Sequence, residues 1–306
     1  MADLSKVIKN ENLFFLAFDH RASFLKLLNI EHRATTPEEV NKICELKQII
    51  YDGFKKALES NVPKEQGAIL VDEQFGEAIL KDAKNNNFIF ALPVEKSGEK
   101  EFDFEYGNEF EKHIKDYDPA FAKVLVHYNP EGDEEINYRQ RKKLQDLGNY
   151  CQKNGKAFLM ELIVEPTKLQ MEQSGNDKNK YDQELRPMLA IKTIKEMQKD
   201  NIEPDIWKIE GMEKKEDYYE VLNQAQSNGR NAKIVVLGRG EDKLKVEKWL
   251  KAGALVKGVI GFAIGRTIFN EPIINYLENK IKREEAVEKI SDNYKYFYKF
   301  FIENSI

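Results

Sequence analysis

Residues 204–212, PDIWKIEGM, place a lysine and a glutamate, Lys208 and Glu210, inside an apolar run made by Ile206, Trp207 and Ile209. Read as a strand, the alternation of faces puts Ile206, Lys208 and Glu210 on one side and Trp207 and Ile209 on the other. An ammonium buried in an apolar strand is expensive unless it is paired or neutralised. Desolvation lowers the pKa of a lysine, and a neutral amine near pH 7 is a nucleophile that attacks ketones to give an imine. The other reading of the segment is a strand-end lysine that reaches solvent or pairs with Glu210.

Imine chemistry needs an amine of low effective pKa, a proton shuttle and a grip on the substrate. Lys123 sits on a nearby apolar run, and like-charge repulsion between it and Lys208 would lower both pKa values. Glu161, on the run between them, would exchange protons during carbinolamine formation and carbon–carbon cleavage. The alternative for Lys123 and Glu161 is a structural ion pair. Asp19 would bind a substrate hydroxyl or orient the reacting lysine. His20 reads either as a donor to a hydroxyl or as a prop, and Arg21 as a substrate contact or a rim salt-bridge partner. His127 reads as structural, and His32 and His113 as surface or packing residues.

An anionic substrate group would need local positive charge. LGRGED, residues 237–242, and GFAIGRTIF, residues 261–269, offer glycine-flanked amides beside an arginine, a pattern suited to phosphate. Gly238, Arg239, Gly240, Gly265 and Arg266 are the candidates. A metal route would draw on Asp19, His20, Asp72, Glu73 and Glu95. No paired histidines or cysteines support zinc, and the imine route requires neither metal nor cofactor.

These residues lie at the ends of eight candidate strands: 13–18, 68–71, 88–92, 122–127, 157–164, 205–209, 233–237 and 258–262. Helical patterns alternate with them at 37–60, 134–153, 183–199, 213–227 and 242–252, and a further helix, 283–304, ends the sequence. Thr36 followed by Pro37 reads as a helix start. Strands that alternate with helices imply right-handed βαβ units and a parallel sheet. Eight of them predict one (β/α)8 TIM barrel over residues 1–306, an α/β fold with an additional C-terminal helix. Its mouth would gather Asp72, Glu95, Lys96 and Glu210 with the groups above as substrate contacts. The polar segment 174–180 reads as a surface excursion at that mouth, with a lid as the alternative.

Hydrophobic residues make up 41% of the 306, enough for a large core, and charged residues 33%. No run approaches the roughly 18 apolar residues of a membrane span. The two cysteines, Cys44 and Cys151, fall in helical patterns and suit a reduced, cytoplasmic setting. A net charge of −5 argues against general affinity for nucleic acid or anionic membrane. The expected partner is a small phosphorylated or otherwise anionic sugar, and a homo-oligomer is compatible with the composition.

The blocks FLAFDHRASF, ILVDEQFG, LPVEKSGE, FAKVLVHYNPEGD, FLMELIVEP, PDIWKIEGM, VVLGRGED and GFAIGRTIF occur in this order across about residues 13–270. Together they resemble the aldolase domain that many bacteria fuse behind the sugar kinase of myo-inositol breakdown. That domain is associated with 2-deoxy-5-keto-gluconate 6-phosphate aldolase activity. More distantly the chain is similar to class I tagatose 1,6-bisphosphate aldolases and their sulfo-sugar relatives. The resemblance implies the imine role for Lys208 in WKIE, acid/base work for Glu161 in FLME and a supporting role for Lys123. It likewise carries the aspartate role to Asp19 in AFDHR, aligns Glu95 and Lys96 with an EKTG block, and makes Arg266 in IGRT the phosphate arginine. The LGRGED turn departs from the serine-containing turn of those relatives. The expected function is a class I, Schiff-base aldolase acting on a phosphorylated keto sugar or keto sugar acid. The rivals are a tagatose bisphosphate or sulfo-sugar aldolase or transaldolase, and a non-catalytic sugar-phosphate-binding barrel.

Overall fold

The computed structural model describes residues 12–30 and 34–306. His32 lies outside the described residues. Strands β1 (Leu13–Ala17), β2 (Gly67–Leu70), β3 (Ile89–Pro93), β4 (Phe121–His127), β5 (Ala157–Ile163), β6 (Ile206–Glu210), β7 (Lys233–Leu237) and β8 (Val259–Ile264) pair in parallel in chain order. β8 returns to β1, with Leu13 opposite Gly261 and Leu16 opposite Ile264, so the sheet closes into a (β/α)8 TIM barrel.

Helices α1 (Ala22–Leu27), α2 (Pro37–Leu58), α3 (Glu73–Asn85), α4 (Phe110–Tyr117), α5 (Glu134–Asn154) and α6 (Lys168–Gln173) surround the first half. Helices α7 (Lys178–Glu184), α8 (Arg186–Lys199), α9 (Lys215–Ala225), α10 (Lys243–Ala254), α11 (Arg266–Leu277) and α12 (Arg283–Asn304) complete the ring. Local chemistry sets many of their ends. Thr36 and Glu39 cap each other reciprocally ahead of Pro37 at the start of α2. Asp133 caps α5, which stops at Gly155 in the left-handed region.

The strands are apolar on both faces because each face is covered. Outward residues such as Phe14, Leu16, Val124, Trp207 and Val236 pack under the helices. Inward residues, among them Phe15, Phe121, Leu159, Ile206 and Val235, fill the barrel. Phe15 meets Phe121 edge to face, with ring centroids 5.6 Å apart. Burying a side chain of this size stabilises by about 1.5–3 kcal/mol, so the plug in the barrel floor is a rigid base for what stands above it. The inward parity continues past the plug to Asp19, Glu95, Lys123, Glu161 and Lys208.

One stretch differs from the sequence expectation. The helix expected over 183–199 is divided at Leu185 into α7 and α8, because Pro187 has no N–H to give an interior helix and fits the first turn of a new one. The segment 174–180 is a surface segment as expected, with residues 175–180 exposed. Ser174 is buried and its hydroxyl donates to the Gln170 carbonyl, and Asp177 caps α7. The last helix is a structural strut. A Cβ at Gly53 of α2 would stand 2.6 Å from Ile290 Cγ2 of α12, so the two helices approach as closely as glycine allows. Tyr294 on α12 donates its hydroxyl hydrogen to the Phe14 carbonyl at 2.6 Å. Among the described residues, no helix is long and apolar enough to cross a membrane.

Candidate active site

Glu161 and Lys208 are register partners on β5 and β6, and both point inward above Leu159 and Ile206. Lys123 stands on β4 opposite Leu159, one inward step below Glu161. Lys208 Nζ is 2.9 Å from Glu161 Oε2, and Lys123 Nζ is 3.0 Å from the same oxygen. Lys123 also reaches Asp19 Oδ2 at 2.8 Å and Glu95 Oε1 at 2.5 Å. Both lysines are 2% exposed. Three carboxylates and two amines thus share one pocket of low dielectric, where each charge depends on its neighbours.

The ionisation pattern follows from those distances. Burial works against the Lys123 ammonium, but Asp19, Glu161 and Glu95 outweigh it and raise its pKa well above the ordinary value. This corrects the sequence expectation that Lys123 would be made more acidic by Lys208: three carboxylates surround it. Burial also opposes ionisation of Asp19, yet Lys123, His20 and Lys208 hold its carboxyl far below the usual range. Glu161 is lowered in the same way, with burial overcome by Lys123 and then Lys208. Glu95 differs. Burial dominates and Asp19 adds to it, so its pKa is raised despite Lys123.

A cavity of about 270 Å³ opens onto this cluster, lined by Asp19, His20, Glu95, Lys123, His127 and Glu161 among others. Lys208 is not part of its lining and meets the wall through Glu161. His20 keeps 32% of its side chain exposed, and burial of the ring, with Arg266 and Lys208 nearby, pushes its pKa down to about 4 against the pull of Asp19. Its Nδ1 has no hydrogen-bond partner. His127, read as structural from the sequence, is a lining residue 2.9 Å from Glu165 Oε1. The signal was present: residues 123, 125 and 127 share one strand face.

Several predicted substrate contacts are instead committed to the protein. Asp72 is fully buried, paired with Lys47 and capping α3 through the Phe75 amide. Arg21 donates to Glu105 and to the Glu95 carbonyl, each at 2.9 Å, and so takes the rim salt-bridge role. Lys96 is exposed, 3.4 Å from Glu99, and lines the cavity, in keeping with the contact expected of it. Glu210 accepts from the Val164 amide at 2.9 Å and from Arg239 at 3.1 Å. The metal-ligand set weighed from sequence does not converge, because Asp72 faces Lys47 and Glu73 faces Tyr106 and His113. His113 packs against Tyr106, as expected of a packing residue.

The two arginines of the last loops separate. Arg239 is tied to Asp182 at 3.0 Å and to Glu210. Arg186, also buried, donates to Asp182 and to the Glu210 and Gly211 carbonyls. These bonds hold the β6 and β7 ends rather than a ligand. Arg266, the first residue of α11, is exposed and donates only to the Arg239 carbonyl, at 2.8 Å. Among the described residues no carboxylate pairs with it. It lies beside the opening amides of α11, which lack intrahelical partners. Gly240 has φ +73°, and a Cβ there would sit 2.6 Å from the Arg266 guanidinium. A Cβ at Gly265 would lie 2.1 Å from the Ala17 carbonyl oxygen. Gly238 allows β7 to end against Ile264.

A family model described as "Uncharacterized protein conserved in bacteria (DUF2090)" matches residues 4–304. The chain is 23% identical over 219 residues to a protein of Staphylococcus epidermidis named tagatose 1,6-diphosphate aldolase. That match takes in 69% of this chain and 62% of the relative, so it spans less than two thirds of the relative's length. It is 21% identical over 290 residues to tagatose 1,6-diphosphate aldolase 1 of Enterococcus faecalis, covering 86% of this chain and 81% of that protein. Among solved structures, fructose-bisphosphate aldolase from Plasmodium falciparum superposes with a TM-score of 0.68 at 13% identity, covering 100% of this chain and 97% of that one. That last likeness is one of fold.

Proposed function

The chain belongs to the DUF2090 family, and we propose that it is a class I, Schiff-base aldolase that cleaves a phosphorylated keto sugar or keto sugar acid. The observation that carries this reading is the inward pair Lys208–Glu161 at 2.9 Å, register-matched on β5 and β6 beside a cavity. A buried amine next to a carboxylate has a place to leave its proton, which is what a nucleophilic lysine requires. Lys208 attacks the substrate ketone, and Glu161 helps to expel water and form the iminium. The iminium withdraws electrons, so the adjacent carbon–carbon bond breaks, an aldehyde leaves and an enamine remains. Protonation and hydrolysis release the second product and restore the amine. Lys123 keeps Glu161 ionised and stabilises a substrate oxygen, Asp19 orients the reacting groups, and Arg266 with the first amides of α11 holds the phosphate.

Within that class the sequence blocks favour 2-deoxy-5-keto-gluconate 6-phosphate, cleaved to dihydroxyacetone phosphate and malonate semialdehyde. The names of the Staphylococcus and Enterococcus relatives favour tagatose 1,6-bisphosphate as a second reading. Incubation with each sugar, with identification of the products, separates them. Absence of cleavage of any phosphorylated keto sugar, with ligand binding retained, would support a non-catalytic barrel instead.

A further inference from the structure

The carbon–carbon cleavage needs a base, a role the sequence expectation gave to Glu161 along with the carbinolamine step. When the carbon–carbon bond breaks, the hydroxyl on the departing carbon must lose its proton to become an aldehyde. Of the carboxylates that line the cavity, three belong to the lysine cluster, and they are not equivalent. Glu161 shares one oxygen between two amines, and Asp19 is bound to Lys123 with its other oxygen 3.9 Å from His20. Glu95 spends Oε1 on Lys123, while Oε2 is buried and has no hydrogen-bond partner. Its side chain is held in place from behind. Residue 95 forms a β-bridge with Phe104, and its carbonyl accepts from Arg21 at 2.9 Å. Glu95 lines the cavity, and a carboxyl oxygen left without a partner in the cavity wall can accept a hydrogen bond from a group that arrives with the ligand once the carboxyl turns toward it.

The geometry points to Glu95 as the base of the cleavage step, its Oε2 taking the proton of the substrate hydroxyl. This assignment rests on the Schiff-base reading above. As the O–H bond breaks, the oxygen electrons form the carbonyl and the carbon–carbon electrons pass into the iminium, giving the enamine. Neutral Glu95 then faces the same cavity as the enamine carbon and returns the proton to it, which restores the carboxylate. No external oxidant or reductant is needed. The groups that face Glu95 bear on this cycle: Lys123 bonds its carboxylate and the Arg21 guanidinium lies close by, while burial and Asp19 outweigh them and make it the most readily protonated of Asp19, Glu95 and Glu161.

The test uses Glu95→Gln, which keeps an oxygen for Lys123 and removes the base. Wild type and variant are each reduced with borohydride in the presence of 2-deoxy-5-keto-gluconate 6-phosphate, tagatose 1,6-bisphosphate or dihydroxyacetone phosphate, and the Lys208 peptide is weighed. Wild type should carry the three-carbon fragment. The variant should carry the whole sugar, trap dihydroxyacetone phosphate as wild type does, and cleave at least about a hundred-fold more slowly. Glu95→Asp, which keeps a carboxyl, should recover part of that rate. Cleavage by Glu95→Gln within a few-fold of wild type overturns the assignment and leaves the imine reading intact. Failure of the variant to trap dihydroxyacetone phosphate also overturns it, because Glu95 would then serve Lys208 rather than the hydroxyl. An unmodified Lys208 in active wild type removes the imine reading and this assignment with it.

Discussion

Glu161 and Lys208 face each other across the β5–β6 ladder with carboxylate oxygen and amine 2.9 Å apart. The carboxylate is shared with Lys123. Direct register is what makes the contact dependable, since adjacent strands lie only about 4.8 Å apart. A shift of one residue would turn either side chain into the helical layer.

Lys123 is the cation on which the cluster depends. Lys123→Met would leave Asp19, Glu95 and Glu161 facing one another without the ammonium that bonds all three. Removing one partner from a buried charge group costs about 3–5 kcal/mol, so the urea midpoint at pH 7 should fall accordingly. Crowded carboxyls in the folded variant have raised pKa values, so the folded state binds protons more readily than the unfolded chain. Part of the loss should therefore be regained as the pH is lowered toward 5. A variant whose midpoint matches wild type at pH 7 would contradict the clustered geometry.

His20 gives a separable pH effect. Its folded pKa is pushed down to about 4, whereas an unfolded histidine titrates near about 6.5. Between those values the unfolded chain binds more protons, so stability should fall as the pH drops from about 6.5 to 4. Asp19, whose folded pKa is depressed, contributes stability that is lost as the pH falls below about 5, so it overlaps only the acid end of that window. Replacing His20 with Gln should flatten the slope of stability against pH in this range. An unchanged slope, followed by chemical denaturation, would show that the imidazole is not held neutral.

Arg266 and Arg239 should part company when substituted. Arg266→Ala removes an exposed guanidinium with no carboxylate partner among the described residues. A charged hydrogen bond contributes about 1.5–3 kcal/mol, so affinity for dihydroxyacetone phosphate should weaken roughly ten- to hundred-fold with the melting temperature nearly unchanged. Arg239→Ala should instead lower stability, because Asp182 and Glu210 lose a shared cation. The reverse pattern, read by calorimetry and thermal denaturation, would move the anion site to Arg239.

Much of the barrel was legible because each strand is a short apolar run and each helix starts or stops on strong local chemistry, as Thr36, Asp133 and Gly155 do. That Lys123, Glu161 and Lys208 meet could not be read, because their relative heights are set by the β4–β5–β6 register. Nor could the distribution of charges over neighbours far apart in sequence be read. Asp72 reads as a mouth residue until Lys47, a helix away, is seen to occupy it. Arg239 looks free until Asp182 and Glu210 close on it. His127 shows no partner in the sequence because Glu165 lies in the loop after β5, on a different element. The break at Leu185 has its signal in Pro187, which fits the first turn of a new helix.

The central claim is that Lys208 forms a covalent bond to the substrate ketone. Borohydride added during turnover of a phosphorylated keto sugar, followed by mass measurement of the tryptic peptides, tests it most directly. The account predicts a reduced sugar adduct on Lys208, with activity lost in proportion and no adduct in Lys208→Ala. Full turnover with Lys208 unmodified, or an adduct on Lys123 instead, would contradict it.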